Sequence, residues 1–324
     1  MQVRLALVAT FLLLTGCSPR SQQDTESAAS ATAVEGVTLS RFDDRVKIAL
    51  DGKPFTNFYY QQKWDKPFLY PIRTVSGIAI SRGFPVQPRE GETHDHPWHR
   101  GLWYGHGDIN GEDFWREQSD KGTARLPLSE APTISANTLD VKLAMTTAAN
   151  VRMGTIDERY SFSRDKSNFL IDTTITIAAD AEKPLRFGDT DDGGFGFRLS
   201  DDFREDRGVD MENSEGLKGS KQMWGQPARW VRYSATVNGK RAGLVMLDHP
   251  SNLRYPTRWH ARGYALCAAN PFALSSFTKD KAADGSYTLP AGKTLRLRYL
   301  VIVHEGDISR ESIEQYFSNF QKTS

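Results

Sequence analysis

Residues 168–178, NFLIDTTITIA, restrict the fold more than any other stretch of this chain. Phe169, Ile171, Thr173, Ile175 and Ile177 fall on one face at a period of two, and β-branched side chains dominate, so the segment reads as a half-buried strand and not as a helix. The pattern recurs. Residues 46–50 alternate and end on Asp51-Gly52, while residues 57–60 and 68–70 are short aromatic strands. Further strands are expected at 139–149, 155–163, 229–237, 242–247 and 295–304, with hairpin links at 164–167 and at Asn238-Gly239. One helix is expected near residues 308–321, capped by Asp307 or Ser309, with Ile313, Tyr316, Phe317 and Phe320 at helical spacing. Many closely spaced strands without intervening helices predict a mainly β chain: one large antiparallel β-sandwich over residues 37–324, ending in a short helix.

Residues 1–16 are not part of that fold. Arg4 precedes an apolar run over residues 5–14 that is too short to span a bilayer but suits a signal peptide. It ends in Leu14-Thr15-Gly16-Cys17, which resembles the bacterial lipobox. That resemblance implies cleavage before Cys17 and lipidation of its thiol; with Ser18 next, it implies an outer-membrane lipoprotein facing the periplasm. Residues 17–36 are small, polar and aperiodic, as in a flexible tether. With Cys17 lipidated, only Cys267 remains, so no intrachain disulfide forms, and its apolar surroundings make it a small buried hydrophobe. A net charge of +1 offers no basic footprint for nucleic acid.

The chemistry concentrates in residues 91–115, GETHDHPWHRGLWYGHGDINGEDFW. Four of the chain's seven histidines (His94, His96, His99, His106) lie here, with Arg100, Asp95, Asp108, Asp113 and Trp103 beside them. A single histidine among glycines commonly satisfies a buried carbonyl; four together with an arginine and carboxylates suit proton transfer or metal ligation. A second cluster holds Trp224, His249, Trp259, His260, Arg262, Asn270 and His304 near expected strand ends. Arg262 shares a strand face with His260 and suits a carboxylate or a vicinal diol. Between the clusters, Asp189, Asp191 and Asp192 lack the spacing of a calcium loop. They read mostly as a solvated turn, with Asp189 the carboxylate expected to point at the site.

These stretches, with WGQPARWVRYSATVNGKRAGLVMLDHPSNLRYPTRWHARGYALCAANPF and the closing RYLVIVHEG, resemble DUF6807, a family of unknown function often labelled PmoA or methane oxygenase. The label is weak evidence of function, because the methane monooxygenase subunit of that name is a bundle of transmembrane helices and the mature chain here has no apolar run of that length. The resemblance covers residues 55–306 and implies a mutarotase-type supersandwich acting among carbohydrate-catabolic proteins. It places site motifs on His94, His96, His99, Arg100 and His106, on Asp189, and on His249, His260, Arg262 and Asn270. Ala273 departs from the glycine that usually follows the Asn-Pro-Phe triplet, which affects a turn more than the site.

Three functions compete on these grounds. The first is His/Asp acid–base chemistry of epimerase or lyase type on a sugar or glycoside, with His94, His96, His99, His106, His260 and Asp189 as proton-handling groups. Arg100 or Arg262 would hold an oxyanion or carboxylate, and Trp103, Trp259, Asn270 and His249 would contact the sugar. No facing carboxylate pair of the kind glycosidases use is evident. The second is a divalent metal, zinc or copper, on His94, His96 and His99, although Pro97 interrupts any strand that would align the first two. The third is sugar binding without catalysis. The first reading predicts that the loop with His94, His96, His99 and Arg100 faces His260 and Arg262 across one cavity.

Overall fold

In a computed structural model that describes residues 28–34, 36–117 and 123–323, the alternating segments become strands of two large antiparallel sheets. The first runs, edge to edge, through Ser30–Val34, Val37–Arg41, Arg45–Leu50, Lys53–Tyr59, Phe68–Tyr70, Leu102–His106, Gly193–Arg198, Leu266–Asn270 and Arg258–Arg262. The second runs through Asp210–Asn213, Trp230–Val237, Lys240–Asp248, Thr294–Glu305, Asn168–Ala179, Arg152–Asp165, Thr138–Thr146 and Thr133–Ser135. Asn168–Ala179 lies in the middle of the second sheet, paired on both sides, and its five predicted inward residues are all buried. The Asn238-Gly239 turn closes the Val237–Lys240 pair with both residues at positive φ (52° and 76°), as a two-residue hairpin loop requires.

The two sheets share one core. Phe55 and Phe58 of the first meet Phe169, Phe162 and Tyr160 of the second, and Phe195 stacks on Tyr299 at 5.0 Å. The expected C-terminal helix spans Arg310–Phe320. Ser309 caps it by accepting a hydrogen bond from the Ser312 N–H, and Ile313, Phe317 and Phe320 pack on Trp230, Val245, Leu247, Leu300 and Ile302. That helix therefore covers the outer face of the second sheet. Among the described residues no helix is long and apolar enough to cross a membrane.

One boundary moves. The tether expected over residues 17–36 ends sooner, because Ser30–Val34 pairs with Val37–Arg41 as the sheet's edge strand. Its small residues (SATAV) need only backbone hydrogen bonds to join an edge, so the polar composition hid a strand. The signal peptide and Cys17 lie outside the described residues.

Candidate active site

Strand alternation sorts the first sheet's residues onto two faces. In Arg258–Arg262, Trp259 and Ala261 point into the core while His260 and Arg262 point outward. In Leu102–His106, Leu102 and Tyr104 join the core, and Trp103 lies on the outer face with Phe68, Tyr70, Trp115, Leu266 and Ala268. Gly196, on the neighbouring strand, makes room for this layer: a Cβ there would stand 3.0 Å from both Trp103 Cζ2 and Trp115 Cη2. The two indoles therefore rest directly on the sheet.

Above them rises a stack of rings. His99 lies over Trp103 at 5.3 Å, His96 over His99 at 4.8 Å with an interplanar angle of 2°, and Tyr264 over His96 at 5.2 Å. His99 is buried, whereas the His96 side chain is 37 % exposed. His96 sits at φ +44°, an uncommon conformation for a non-glycine residue and one that surrounding contacts must hold.

Those contacts centre on Asp95. Its carboxylate accepts from His96 Nδ1–H at 2.5 Å, from Arg82 Nη1 at 2.5 Å and from Arg198 Nη2 at 2.8 and 3.1 Å. Burial pushes the Asp95 carboxyl up, but the His96 hydrogen bond and the Arg198 and Arg82 charges outweigh it and hold the group well below the usual carboxylate range. Arg82 also donates from Nη2 to the His96 carbonyl at 2.9 Å, fixing the strained residue itself. His96 Nε2 has no partner among the described residues. An anionic carboxylate on Nδ1 fixes the tautomer and stabilises the imidazolium that forms when Nε2 takes a proton.

His260 differs. Its Nδ1–H donates to the Asp191 carbonyl and its Nε2 accepts from Arg262 Nε–H, both at 2.7 Å, so both nitrogens are occupied. Burial, then the Arg262 charge, lowers its pKa to about 4. Arg262 reaches Asp191 Oδ2 at 3.4 Å and lies over the Trp224 ring. His99 is held well below the usual histidine range by burial and then by the charges of Arg198, His96, Arg82 and His260. Of the loop expected to face His260 and Arg262 across one cavity, His96 and His99 lie on the outer face of the first sheet, as His260 and Arg262 do, whereas His94 and Arg100 turn to other partners.

Other expected members are elsewhere. His94 is exposed and stacks on Phe84. His106 is a core residue between Phe187 and Phe272, donating from Nε2 to the Gly188 carbonyl. Asp189 accepts from the backbone N–H groups of Leu274, Ser275 and Gly285, a clamp that ties both of its oxygens to these loops. Burial raises its pKa, but those bonds bring it below the ordinary carboxylate value. Trp259 faces the core and donates to the Ala228 carbonyl; Asn270 ties down the carbonyls of Thr190 and Asp191. His249 lies on the other sheet against Phe320 of the C-terminal helix. Trp103 is under the histidine stack, not open to a ring, and Arg100 is bound bidentately by Glu117 between the Trp64 and Phe68 rings.

The His94–His96–His99 metal triad does not assemble. His94 stacks away on Phe84, and parallel rings at 4.8 Å direct their in-plane lone pairs side by side and not at a common point. Among the described residues no three His, Cys, Asp or Glu side chains are placed to hold a metal ion.

Sequence reasoning assigned no role to Asp95, Arg82, Arg198, Asp191 or Tyr264. Arg198 was detectable in principle: in GGFGFR, Phe195 and Phe197 mark the core face and put the arginine on the other.

No curated protein sequence matches the chain significantly. Solved structures similar to it include an Escherichia coli K12 protein provisionally described as an aldose 1-epimerase, at 10 % identity and TM-score 0.36, covering 86 % of this chain and 98 % of that one. The protein HI1317 is similar at 11 % identity and TM-score 0.26, over 85 % and 98 % of the two chains. The family model described as "Family of unknown function (DUF6807)" matches residues 45–318. The chain therefore belongs to DUF6807.

Proposed function

We propose that this protein is a carbohydrate-acting enzyme of epimerase or lyase type, anchored by lipid on Cys17 at the periplasmic side of the outer membrane, with His96 as its proton-transfer group. The observation that carries this reading is His96 itself. Its ring is sandwiched between His99 and Tyr264, its Nδ1 is fixed by Asp95, Asp95 is fixed by two buried arginines, and Nε2 has no partner among the described residues. A neutral Nε2 takes a proton from a substrate O–H or C–H, and Asp95 stabilises the cation that results. Arg262, 37 % exposed beside Asp191 and over Trp224, is the group for negative charge developing on substrate oxygen. Trp98, Tyr264 and Trp224, all partly exposed, replace Trp103 as surfaces for a sugar ring.

A binding module would have use for the aromatic surfaces but none for an oriented, strained histidine. His96→Gln and Asp95→Asn separate the two. Each is expected to lower turnover by roughly 10²- to 10⁴-fold while sugar binding persists. Turnover is read by NMR as anomer or epimer interconversion, or as appearance of an unsaturated product, over a panel of hexoses, hexuronates and their glycosides. Full activity in His96→Gln would overturn the assignment.

A further inference from the structure

The seven tryptophans divide into two groups. Trp230 and Trp259 each donate the indole N–H, to Glu314 Oε1 at 3.0 Å and to the Ala228 carbonyl at 2.8 Å. The indole N–H groups of Trp64, Trp98, Trp103, Trp115 and Trp224 are shielded from solvent and have no acceptor among the described residues. Three of these five surround His99: Trp103 at 5.3 Å, Trp115 at 5.5 Å and Trp98 at 6.0 Å between ring centroids.

His99 adds a fourth donor. Arg198 Nη1 approaches His99 Nδ1 at 3.4 Å, and a guanidinium only donates, so Nδ1 carries the lone pair and the proton of the neutral ring is on Nε2. That Nε2–H is buried and without a partner among the described residues. Around the ring stack, then, every unpaired buried side-chain atom is an N–H, and none is an acceptor. A hydroxyl placed there would gain acceptor bonds and leave its own O–H unpaired, whereas a carboxylate only accepts.

Buried cations lie beside these donors. Two buried ion groups flank the stack, each with two cations for one carboxylate: Arg82 and Arg198 on Asp95, and Lys66 and Arg100 on Glu117. Neighbouring carboxylates are paired separately, Asp201 with Arg207 and Asp65 with Arg125. At the more exposed rim, Arg116 serves Asp113 and Asp192, and Arg262 serves Asp191. Arg207 and Arg125 are the exposed members of those pairs, so Arg82, Arg198, Lys66 and Arg100 are balanced by Asp95, Asp201, Glu117 and Asp65, and it is the unpaired N–H groups that set the preference for an acceptor.

We infer that the ligand is an acidic sugar, a hexuronate or a glycoside containing one, whose carboxylate is received by His99 Nε2–H and the indole N–H groups beside it. This rests on the carbohydrate part of the function proposed above and names its substrate class. Titration calorimetry of the mature protein with D-glucuronate and D-galacturonate, against D-glucose, D-galactose and galactose 6-sulfate, tests it. The uronates are expected to bind at least roughly tenfold tighter than the parent hexoses, with the preference shrinking as salt is raised. His99→Phe keeps the stack and removes the donor; the uronate-to-hexose ratio should then fall about tenfold. Trp98→Phe, at a less buried position, repeats the test if His99→Phe does not fold, and a smaller loss of ratio is expected.

Equal affinity for uronates and hexoses would overturn the inference. So would a ratio unchanged in both variants, or binding of the sulfate ester without binding of the uronates. The outcomes stay separable from the catalytic reading. A uronate preference that survives beside a fully active His96→Gln variant upholds this inference and removes His96 from the chemistry.

Discussion

The outer faces of the two sheets are closed by different means. On the second sheet the helix Arg310–Phe320 lays Ile313, Phe317 and Phe320 on the strands, and Trp230 Nε1–H finds Glu314 of that helix. On the first sheet loops supply the cover, and the layer beneath is built from Trp103, Trp115 and His99, whose N–H groups find nothing among the described residues. Unpaired arginine Nε atoms occur on both sides, at Arg232 and Arg298 as well as Arg82 and Arg198, so they do not discriminate. The indoles and the histidine do. A face sealed for stability satisfies its donors internally, while a face kept for a ligand leaves donors for the ligand to satisfy.

The largest effect should come from the sealed face. Phe317→Ala opens a cavity between helix and sheet and is expected to cost about 3–5 kcal/mol in denaturant unfolding. Affinity per folded molecule should not change. A destabilisation below 1 kcal/mol would mean that the helix is not what closes this face.

A polar group between the sheets belongs to neither outer face and sharpens the contrast. Glu158 is buried in the core and accepts from the Tyr160 hydroxyl at 2.9 Å; burial, opposed by that bond, pushes its pKa up to about 7 from 4.5. A carboxyl raised on folding retains its proton in the native state. The associated stability is complete below about pH 4.5 and is lost as pH rises toward 7, a change of about 3 kcal/mol. Glu158→Gln keeps an acceptor for Tyr160 and removes the ionisation, so the variant should gain on wild type from pH 5 to pH 8. His106, His260 and His304, each lowered to about 4 chiefly by burial, give the opposite slope below pH 6.5, but they are common to both proteins and cancel in the difference. A difference independent of pH would show that Glu158 ionises as freely as it does in water.

The fold was legible because strand alternation and helix capping are local. Asn168–Ala179 and the Ser309 cap needed no partner to be recognised. Part of the site was legible for a different reason: His96, His99, His260 and Arg262 stand out by residue type. What could not be read was direction. His94 and His106 belong to the same histidine-rich stretch as His96, yet one turns to Phe84 and the other into the core. Asp189 and Asp191 are two residues apart, and their roles are reversed from expectation: Asp189 binds backbone while Asp191 meets Arg262. The His94–Phe84 contact apart, such outcomes depend on partners distant in the chain, and composition does not encode them.

The smallest effect comes from a matched pair. Trp230→Phe and Trp115→Phe each remove the same atoms from a fully buried indole, so the cavity costs should be similar. Only Trp230 loses a hydrogen bond, while Glu314 Oε1 keeps the one it accepts from Arg229 Nη2. Trp230→Phe should therefore be the less stable variant by about 1 kcal/mol in urea unfolding without ligand. Adding glucuronate reverses the interest of the pair. A ligand that binds only the native state raises the melting temperature in proportion to its affinity. Trp230→Phe should keep the full rise, while Trp115→Phe should show a reduced one because a donor offered to the ligand is gone. If Trp115→Phe is instead the more destabilised without ligand, its N–H is already satisfied within the protein. The loop-covered face would then be sealed in the same way as the helical one.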